Sequence, residues 1–258
     1  MVRERRRLLI APARLADRLI LEPAEAHYVS RVLRLRPGDE LEVVDGEGGL
    51  WRAVLLEGPG LELRPGRQQP LARVAPPAPR LVLAVAVPRH DADTLWRMAT
   101  ELGADRLQPL LAERRSPALR LASERWRGIA REAVEQCERL WHPEVLEPAP
   151  AAAWFTAAPP GDGTSLRLIA TTREQAPPLE SLLASWPPSG PGQERGPRRE
   201  LALAIGPEGG WSATERQAAS AGGWRPVGLG PAILRTSTAA VAGLARLAAW
   251  RDAFSEVS

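Results

Sequence analysis

Apolar and polar positions along the chain fall into two textures. Up to about residue 75 the apolar runs are short and broken by turn residues. Residues 6–10, 40–44 and 50–56 read as strands, with a further short one at 61–63. Asp45-Gly46-Glu47-Gly48-Gly49 between two of them is a hairpin signal. Residues 22–35 carry Ala26, Val29, Val32 and Leu33 at helical spacing, and Arg36-Pro37-Gly38-Asp39 follows as a turn. Short strands joined by tight turns in a segment of this size predict a small β-barrel. The proline-rich residues 64–80 read as an inter-domain crossing with one edge strand near 71–74.

From residue 81 the texture changes. Continuous apolar runs at 81–87, 107–111, 166–170, 201–205 and 225–229 alternate with helical patterns. Helices are predicted over 93–102, capped by Asp91 or Asp93 and stopped by Gly103, and over 123–141. The latter carries Trp126, Ile129, Ala130, Ala133, Val134, Cys137 and Leu140 as one apolar stripe. Further helices follow at 179–186, after residue 212, and at 239–250. Runs without polar alternation suit strands buried on both faces of a parallel sheet. Strand–helix alternation then gives an α/β domain with right-handed crossovers. Residues 187–199 read as a polar, Pro/Gly-rich loop.

Two of these strands stop at glycine-rich turns, Gly206-Pro207-Glu208-Gly209-Gly210 and Gly228-Leu229-Gly230-Pro231. Ligands of such sheets bind beyond the carboxyl ends of the strands, and glycine lets backbone approach a ligand closely. A small-molecule pocket between the two turns is the first functional expectation. Ser212 and Glu215 have capping-box spacing, so the first turn lies between a strand end and a helix N-terminus. The turn is neither a dinucleotide fingerprint nor a P-loop. Thr236-Ser237-Thr238 caps the last helix, and Arg235 sits beside the pocket, where it suits an RNA phosphate or an anionic base. The small residues of the last helix suit close packing, either within the chain or against a second copy.

Composition narrows the setting. The chain has 258 residues, 44% of them hydrophobic, and one cysteine, Cys137, on the apolar stripe. No window has the unbroken apolar length of a membrane span. Arg14, Asp17 and Arg18 interrupt the first apolar stretch too early for a secretory signal. A cytoplasmic protein without internal disulfides is expected. The net charge is only +3, yet the pI is about 10.2, because all 34 basic residues are Arg. Any phosphate contact by a strongly basic side chain must therefore be an Arg contact. Arg7 in the N-terminal basic run is one candidate, and Arg31 and Arg34, three apart on the predicted helix, are two more. His27, His90 and His142 have no ligand spacing, so no metal site is expected. Ser212 lacks the nucleophile elbow of a hydrolase.

An ordered set of motifs resembles the 16S rRNA uracil-N3 methyltransferases, knotted S-adenosylmethionine-dependent enzymes of the SPOUT class. The set is Ile205-Gly206-Pro207-Glu208-Gly209-Gly210 with Leu229-Gly230-Pro231-x-Ile233-Leu234-Arg235-Thr236. It is joined by His27-x-x-x-Arg31-Val32-Leu33-Arg34 before Pro37-Gly38-Asp39, and by Glu101-Leu102-Gly103. Glu113-Arg114-Arg115-Ser116 and Glu132-Ala133-x-Glu135-Gln136-Cys137-x-Arg139 with Pro143-Glu144 complete it. Asp91 and Met98 stand where the family usually has Lys, Ala232 where it has Arg, and Ser237 where it has Glu.

The resemblance implies a PUA-like, RNA-binding β-barrel over 1–75 and a SPOUT α/β domain with a C-terminal trefoil knot over 76–258. It implies a homodimer acting on 16S rRNA or the small ribosomal subunit, with no metal and no membrane. Arg235 and Glu208 become the expected catalytic residues. Thr171, Ile205, Gly206, Pro207, Gly209, Gly210, Leu229, Gly230, Ile233, Leu234 and Thr238 become the expected S-adenosylmethionine site. Arg7, His27, Arg31, Arg34 and Arg114 are the expected RNA contacts. Two alternatives stay open: a SPOUT enzyme for another RNA position, and a dimeric RNA-binding homologue without catalysis.

Overall fold

A computed structural model describes residues 6–115, 121–157, 165–172, 175–186 and 200–255. The loop expected at 187–199, and Arg3, Arg5 and Ser116, lie outside them. The chain divides into two units, Met1–Pro76 with Arg131–His142, and Pro77–Ala130 with Pro143–Ser258.

In the first unit, β1 (Arg7–Leu9), β2 (Arg18–Ile20), β3 (Glu40–Val44), β4 (Gly49–Leu55), β5 (Gly60–Arg64) and β6 (Ala72–Arg73) form one sheet. Its order is β1-β3-β4-β5-β2, with β6 on β4; β1 runs parallel to β3 and the other pairs are antiparallel. The β3–β4 turn closes because Asp45 Oδ1 accepts from the amides of Glu47 (2.7 Å) and Gly49 (2.8 Å). Leu8, Leu41, Val43, Trp51, Leu61 and Leu63 make the core with Leu21, Val29 and Leu35. The helix expected over 22–35 is shorter. Glu22 and Glu25 cap α1 (Pro23–His27) reciprocally, and a π turn follows at Tyr28–Val32, closed by Leu33 N–H to the Tyr28 carbonyl at 2.9 Å. Arg34 then takes φ 56°, so it stands beyond the helix and not on a shared face with Arg31.

The second unit alternates β7 (Arg80–Ala86), α2 (Ala92–Glu101), β8 (Arg106–Leu111), α3 (Ser123–Cys137), β9 (Glu144–Val145), β10 (Ala149–Pro150) and α4 (Ala151–Thr156). It continues with β11 (Leu166–Ala170), α5 (Leu179–Ala184), β12 (Glu200–Ile205), α6 (Ala213–Ala221), β13 (Arg225–Val227) and α7 (Thr236–Ser255). Every ladder is parallel, in the order β10-β8-β7-β12-β11-β13 with β9 on β8.

The absence of alternation now has its cause. Leu81, Leu83, Val85, Leu201, Leu203 and Ile205 face one layer, with Leu95 and Trp96 of α2 and Leu244 and Leu247 of α7. Val82, Ala84, Ala86, Ala202 and Ala204 face the other, with Phe155, Trp211, Ala219 and Trp224. Alternate residues of one strand thus enter two different cores. Asp91 precedes α2 with φ 65° and makes no side-chain cap, while Gly103 (φ 94°) ends that helix region. α3 stops at Cys137, earlier than the apolar stripe suggests, because Glu138 turns left-handed (φ 63°). α7 begins a turn earlier than expected and packs on α2, β7 and β12. A Cβ at Gly243 would lie 2.5 Å from Leu203 Cδ2, so the thin helix serves close packing on this chain's own sheet. Arg251 pins its far end, donating to Asp105 Oδ2 at 2.6 Å and to the Gly103 carbonyl at 3.2 Å.

Candidate active site

A cavity of about 270 Å³ opens beyond the carboxyl ends of β11, β12 and β13. The sheet order puts it there: β12 returns between β7 and β11, so three successive strand ends and their turns converge. Every residue expected to hold a cofactor lines it except Thr238, which is exposed on the first turn of α7. Thr236 lines it instead, and its hydroxyl donates to the Gly206 carbonyl at 2.9 Å, tying the start of α7 to the first glycine-rich turn. That turn is closed by Gly210 N–H to the Pro207 carbonyl at 2.8 Å, with Gly210 at φ 69°.

The turn is held from three sides. Ser212 and Glu215 form the capping box of α6: the Glu215 amide donates to Ser212 Oγ (3.1 Å), and the Ser212 amide to Glu215 Oε2 (2.8 Å). The other Glu215 oxygen accepts from the amide of Glu113 at 2.8 Å, which fixes the segment after β8 beside the turn. Trp211 covers Gly206, where a Cβ would come within 3.0 Å of its ring, and donates from Nε1 to the Ala170 carbonyl at 3.2 Å. Arg114 lies against Gly209 and donates to its carbonyl at 3.0 Å. Thr171 supplies a different feature. Its Oγ1 is buried with no hydrogen-bond partner among the described residues, while its amide donates to Val227 at 3.0 Å. A buried orphan hydroxyl on a cavity wall fits a ligand with a polar edge.

Glu208 is exposed on the cavity wall. Arg235 does not line the cavity; it is exposed at the N-cap of α7, between Leu234 and Thr236, which do, and its carbonyl accepts from Ala239 at 2.8 Å. Ile233, on the same loop, is 70% exposed at the rim.

In the first unit, His27, Arg31 and Arg34 are exposed. Behind them Tyr28 is half-buried; burial first, and the Glu135 and Glu132 charges next, push its hydroxyl up to about 12. Arg7 requires a correction. It is 4% exposed, with Nε on Glu42 at 2.8 Å and Nη1 on the Glu138 carbonyl, so it is bound inside the unit and unavailable to RNA. The parallel register sets Arg7 opposite Glu42, which reading the basic run by itself does not disclose. The residues missed in the sequence include Trp211 and Arg216. Both were recoverable from the capping box: they sit one before and four after its Ser212.

A family model described as an RNA methyltransferase domain matches residues 76–248. The chain belongs to that family of RNA methyltransferases. A second model, the RNA methyltransferase PUA domain, matches residues 21–62 of this methyltransferase. A Synechocystis protein named ribosomal RNA small subunit methyltransferase E is 38% identical over 249 residues, 93% of this chain and 76% of its own. A Mycobacterium bovis protein of the same name is 29% identical over 245 residues, 87% of this chain and 84% of its own. Among solved structures, a ribosomal RNA small subunit methyltransferase E from Neisseria gonorrhoeae, bound to S-adenosyl methionine, superposes with a TM-score of 0.74. It is 26% identical, over 94% of this chain and 96% of that one. No helix among the described residues of the methyltransferase is long and apolar enough to cross a membrane. Nor do the described residues include three His, Cys, Asp or Glu grouped to hold a metal ion.

Proposed function

We propose that this methyltransferase transfers the methyl group of S-adenosylmethionine to N3 of a uridine in 16S rRNA, in the cytoplasm and as a homodimer. The carrying observation is the cavity at three strand ends, walled by two glycine-rich turns and by a Thr171 hydroxyl without a partner among the described residues. The similarity to the ribosomal RNA small subunit methyltransferases E of Synechocystis and Neisseria gonorrhoeae supports the substrate and the donor.

The residues present fit the donor. Among the described residues Thr171 Oγ1 lacks a partner of the kind that an adenosine edge or an amino acid carries, and Gly210, with nothing within 4 Å of a Cβ, leaves room for close approach. Residues 205–210 and 229–234 would hold it, with Thr236 tying the start of α7 to the first turn. S-adenosylmethionine supplies an electrophilic methyl group on a sulfonium, so the chemistry needs no metal. The chain supplies position and electrostatics. Uracil N3 loses its proton as it attacks; Glu208 on the wall accepts that proton, and the Arg235 guanidinium stabilises the charge growing on the base. The imide is paired or stacked in folded RNA, so the base leaves its stack to reach the cavity. His27, Arg31, Arg34 and Arg114 bind the RNA. The C-terminal threading is a trefoil knot; the return of β12 between β7 and β11 and the packing of α7 back on β7 and β12 agree with it.

Mass spectrometry of 16S rRNA from a strain lacking the protein tests the function. N3-methyluridine should vanish; full retention refutes the substrate. Arg235→Ala should lower the rate of methyl transfer by roughly a hundredfold while S-adenosylmethionine binds as before. Equal loss of both refutes the electrostatic role.

A further inference from the structure

We infer that Arg246 and Glu180 form a clamp that holds the second glycine-rich turn in the shape that receives the donor, a reading that rests on the proposed function. They are positioning residues, since neither lines the cavity. Arg246 lies on α7, three residues after Gly243, and its guanidinium faces two ways. Nη1 donates to the Leu229 carbonyl at 3.1 Å. Nε donates to Glu180 Oε1 on α5 at 2.6 Å, and Nη2 faces the same oxygen. The hydrogen bond from Arg246, ahead of the other causes, holds the Glu180 carboxyl below its ordinary value. The guanidinium fork is rigid and planar, so a carboxylate on one edge fixes what the other edge can reach. What it reaches is the carbonyl of a residue on the cavity wall.

The turn is anchored residue by residue up to that point and then let go. The Gly228 amide donates to the Pro177 carbonyl at 3.0 Å, and the Gly228 carbonyl accepts from the Leu179 amide at 3.2 Å. The Leu229 side chain rests on α7, 3.7 Å from where a Cβ of Gly243 would stand, and Arg246 takes the Leu229 carbonyl. Beyond it, residues 230–234 make no hydrogen bond among the described residues, until Arg235 and Thr236 enter α7 and Thr236 donates to the Gly206 carbonyl. Gly230 takes φ 136°, so the Leu229–Gly230 peptide plane turns freely unless its carbonyl is held. The peptide is planar and trans, so the Gly230 amide points opposite to that carbonyl and follows it. One guanidinium thus sets the direction of a backbone donor that belongs to a cavity-lining residue. An unclamped turn populates other shapes, and donor affinity falls in proportion to the fraction left in the competent one.

The test uses the full-length protein. S-adenosylmethionine affinity is measured by calorimetry well below the melting point, and methyl transfer on small ribosomal subunits lacking the methylation. Arg246→Met should raise the dissociation constant of the donor about three- to tenfold, and its KM in step, with kcat at saturating donor within about twofold of wild type. Glu180→Ala, at an exposed position, should weaken donor binding about two- to threefold and add nothing in the Arg246→Met background. Glu180→Gln keeps an acceptor for Nε and should bind the donor within about twofold of wild type. A pair that merely stabilises the fold would lower the melting point and leave the dissociation constant of the folded protein unchanged. Unchanged donor affinity in Arg246→Met therefore overturns the inference, as do additive effects of the two substitutions or a loss confined to kcat. If Arg246→Met does not fold, Glu180→Ala decides, and unchanged donor affinity there overturns it. If the wild-type protein binds no S-adenosylmethionine, the proposed function itself has failed, and the inference falls with it.

Discussion

Thr171→Val replaces a hydroxyl by a methyl of nearly the same shape, at a site where the hydroxyl has no partner among the described residues. Burying an unpaired hydroxyl costs about 1–3 kcal/mol, and an apolar isostere removes that cost. The ligand-free variant should therefore be more stable, by about 1 kcal/mol at the low end. For a chain of this size that is roughly 2–4 °C in Tm. The bound state moves the other way. A hydrogen bond from Thr171 to S-adenosylmethionine contributes about 0.5–1.5 kcal/mol net, so the variant should bind it about two- to tenfold more weakly. Differential scanning fluorimetry with and without the donor reads both: a higher melting point alone and a smaller upward shift with ligand. Calorimetry gives the dissociation constants directly. A variant that melts lower than wild type and binds the donor equally well refutes the reasoning, because the hydroxyl then has a partner within the protein. Opposite signs from one substitution separate a ligand-directed polar group from a structural one.

Arg251→Met removes one partner of the buried ion pair with Asp105, which is 6% exposed and also accepts from the Leu81 amide at 2.8 Å. A loss of about 3–5 kcal/mol is expected by urea unfolding, with partial recovery when Asp105→Asn is added; strict additivity of the two changes would contradict it. Acid stability should depend on Glu25. Burial pushes this carboxyl up, but the hydrogen bonds from Arg14, the Glu22 amide and Arg131 outweigh burial and hold it below the ordinary value. The folded value is the lower one, so the contribution is fully present above about pH 4.5 and is lost as pH falls from there through the lower folded value. Thermal melts between about pH 3 and 7 should show a shallower acid decline in Glu25→Gln than in wild type; parallel curves would refute it.

The inner strands β7, β8, β11 and β12 were legible because they are buried on both faces, and β13 through the apolar run that it begins. Five apolar runs map onto β7, β8, β11, β12 and β13 within about two residues. Their order was not legible, since runs as alike as 81–87, 166–170 and 201–205 carry no mark of which lies between the others. Short elements escaped for a different reason. β2 has three residues, two of them exposed, and β9 and β10 have two each, so no period develops. The end of α3 misled in the opposite sense. Leu140 and Trp141 continue the helical apolar spacing, yet Trp141 bridges Glu47 after the chain turns at Glu138. At the site, the glycine-rich turns announced the cavity, but the choice between Thr236 and Thr238 depended on where α7 starts. Arg7 could be judged only through its partners, Glu42 and Glu138, which lie 35 and 131 residues away.

The return of Arg131–His142 to the first unit has a consequence for synthesis. Leu9 N–H donates to Glu135 Oε1 at 2.9 Å, Val134 joins Leu9, Val44 and Leu50 in a core, and Arg7 is closed off by Glu138. A nascent chain that has emerged only as far as Pro76 holds every strand of this sheet and lacks its lining. The missing segment arrives about 66 residues later. At about 5–20 residues per second, that is roughly 3–13 s in which the amino-terminal sheet is exposed at the ribosome, waiting for a helix encoded in the middle of the next unit.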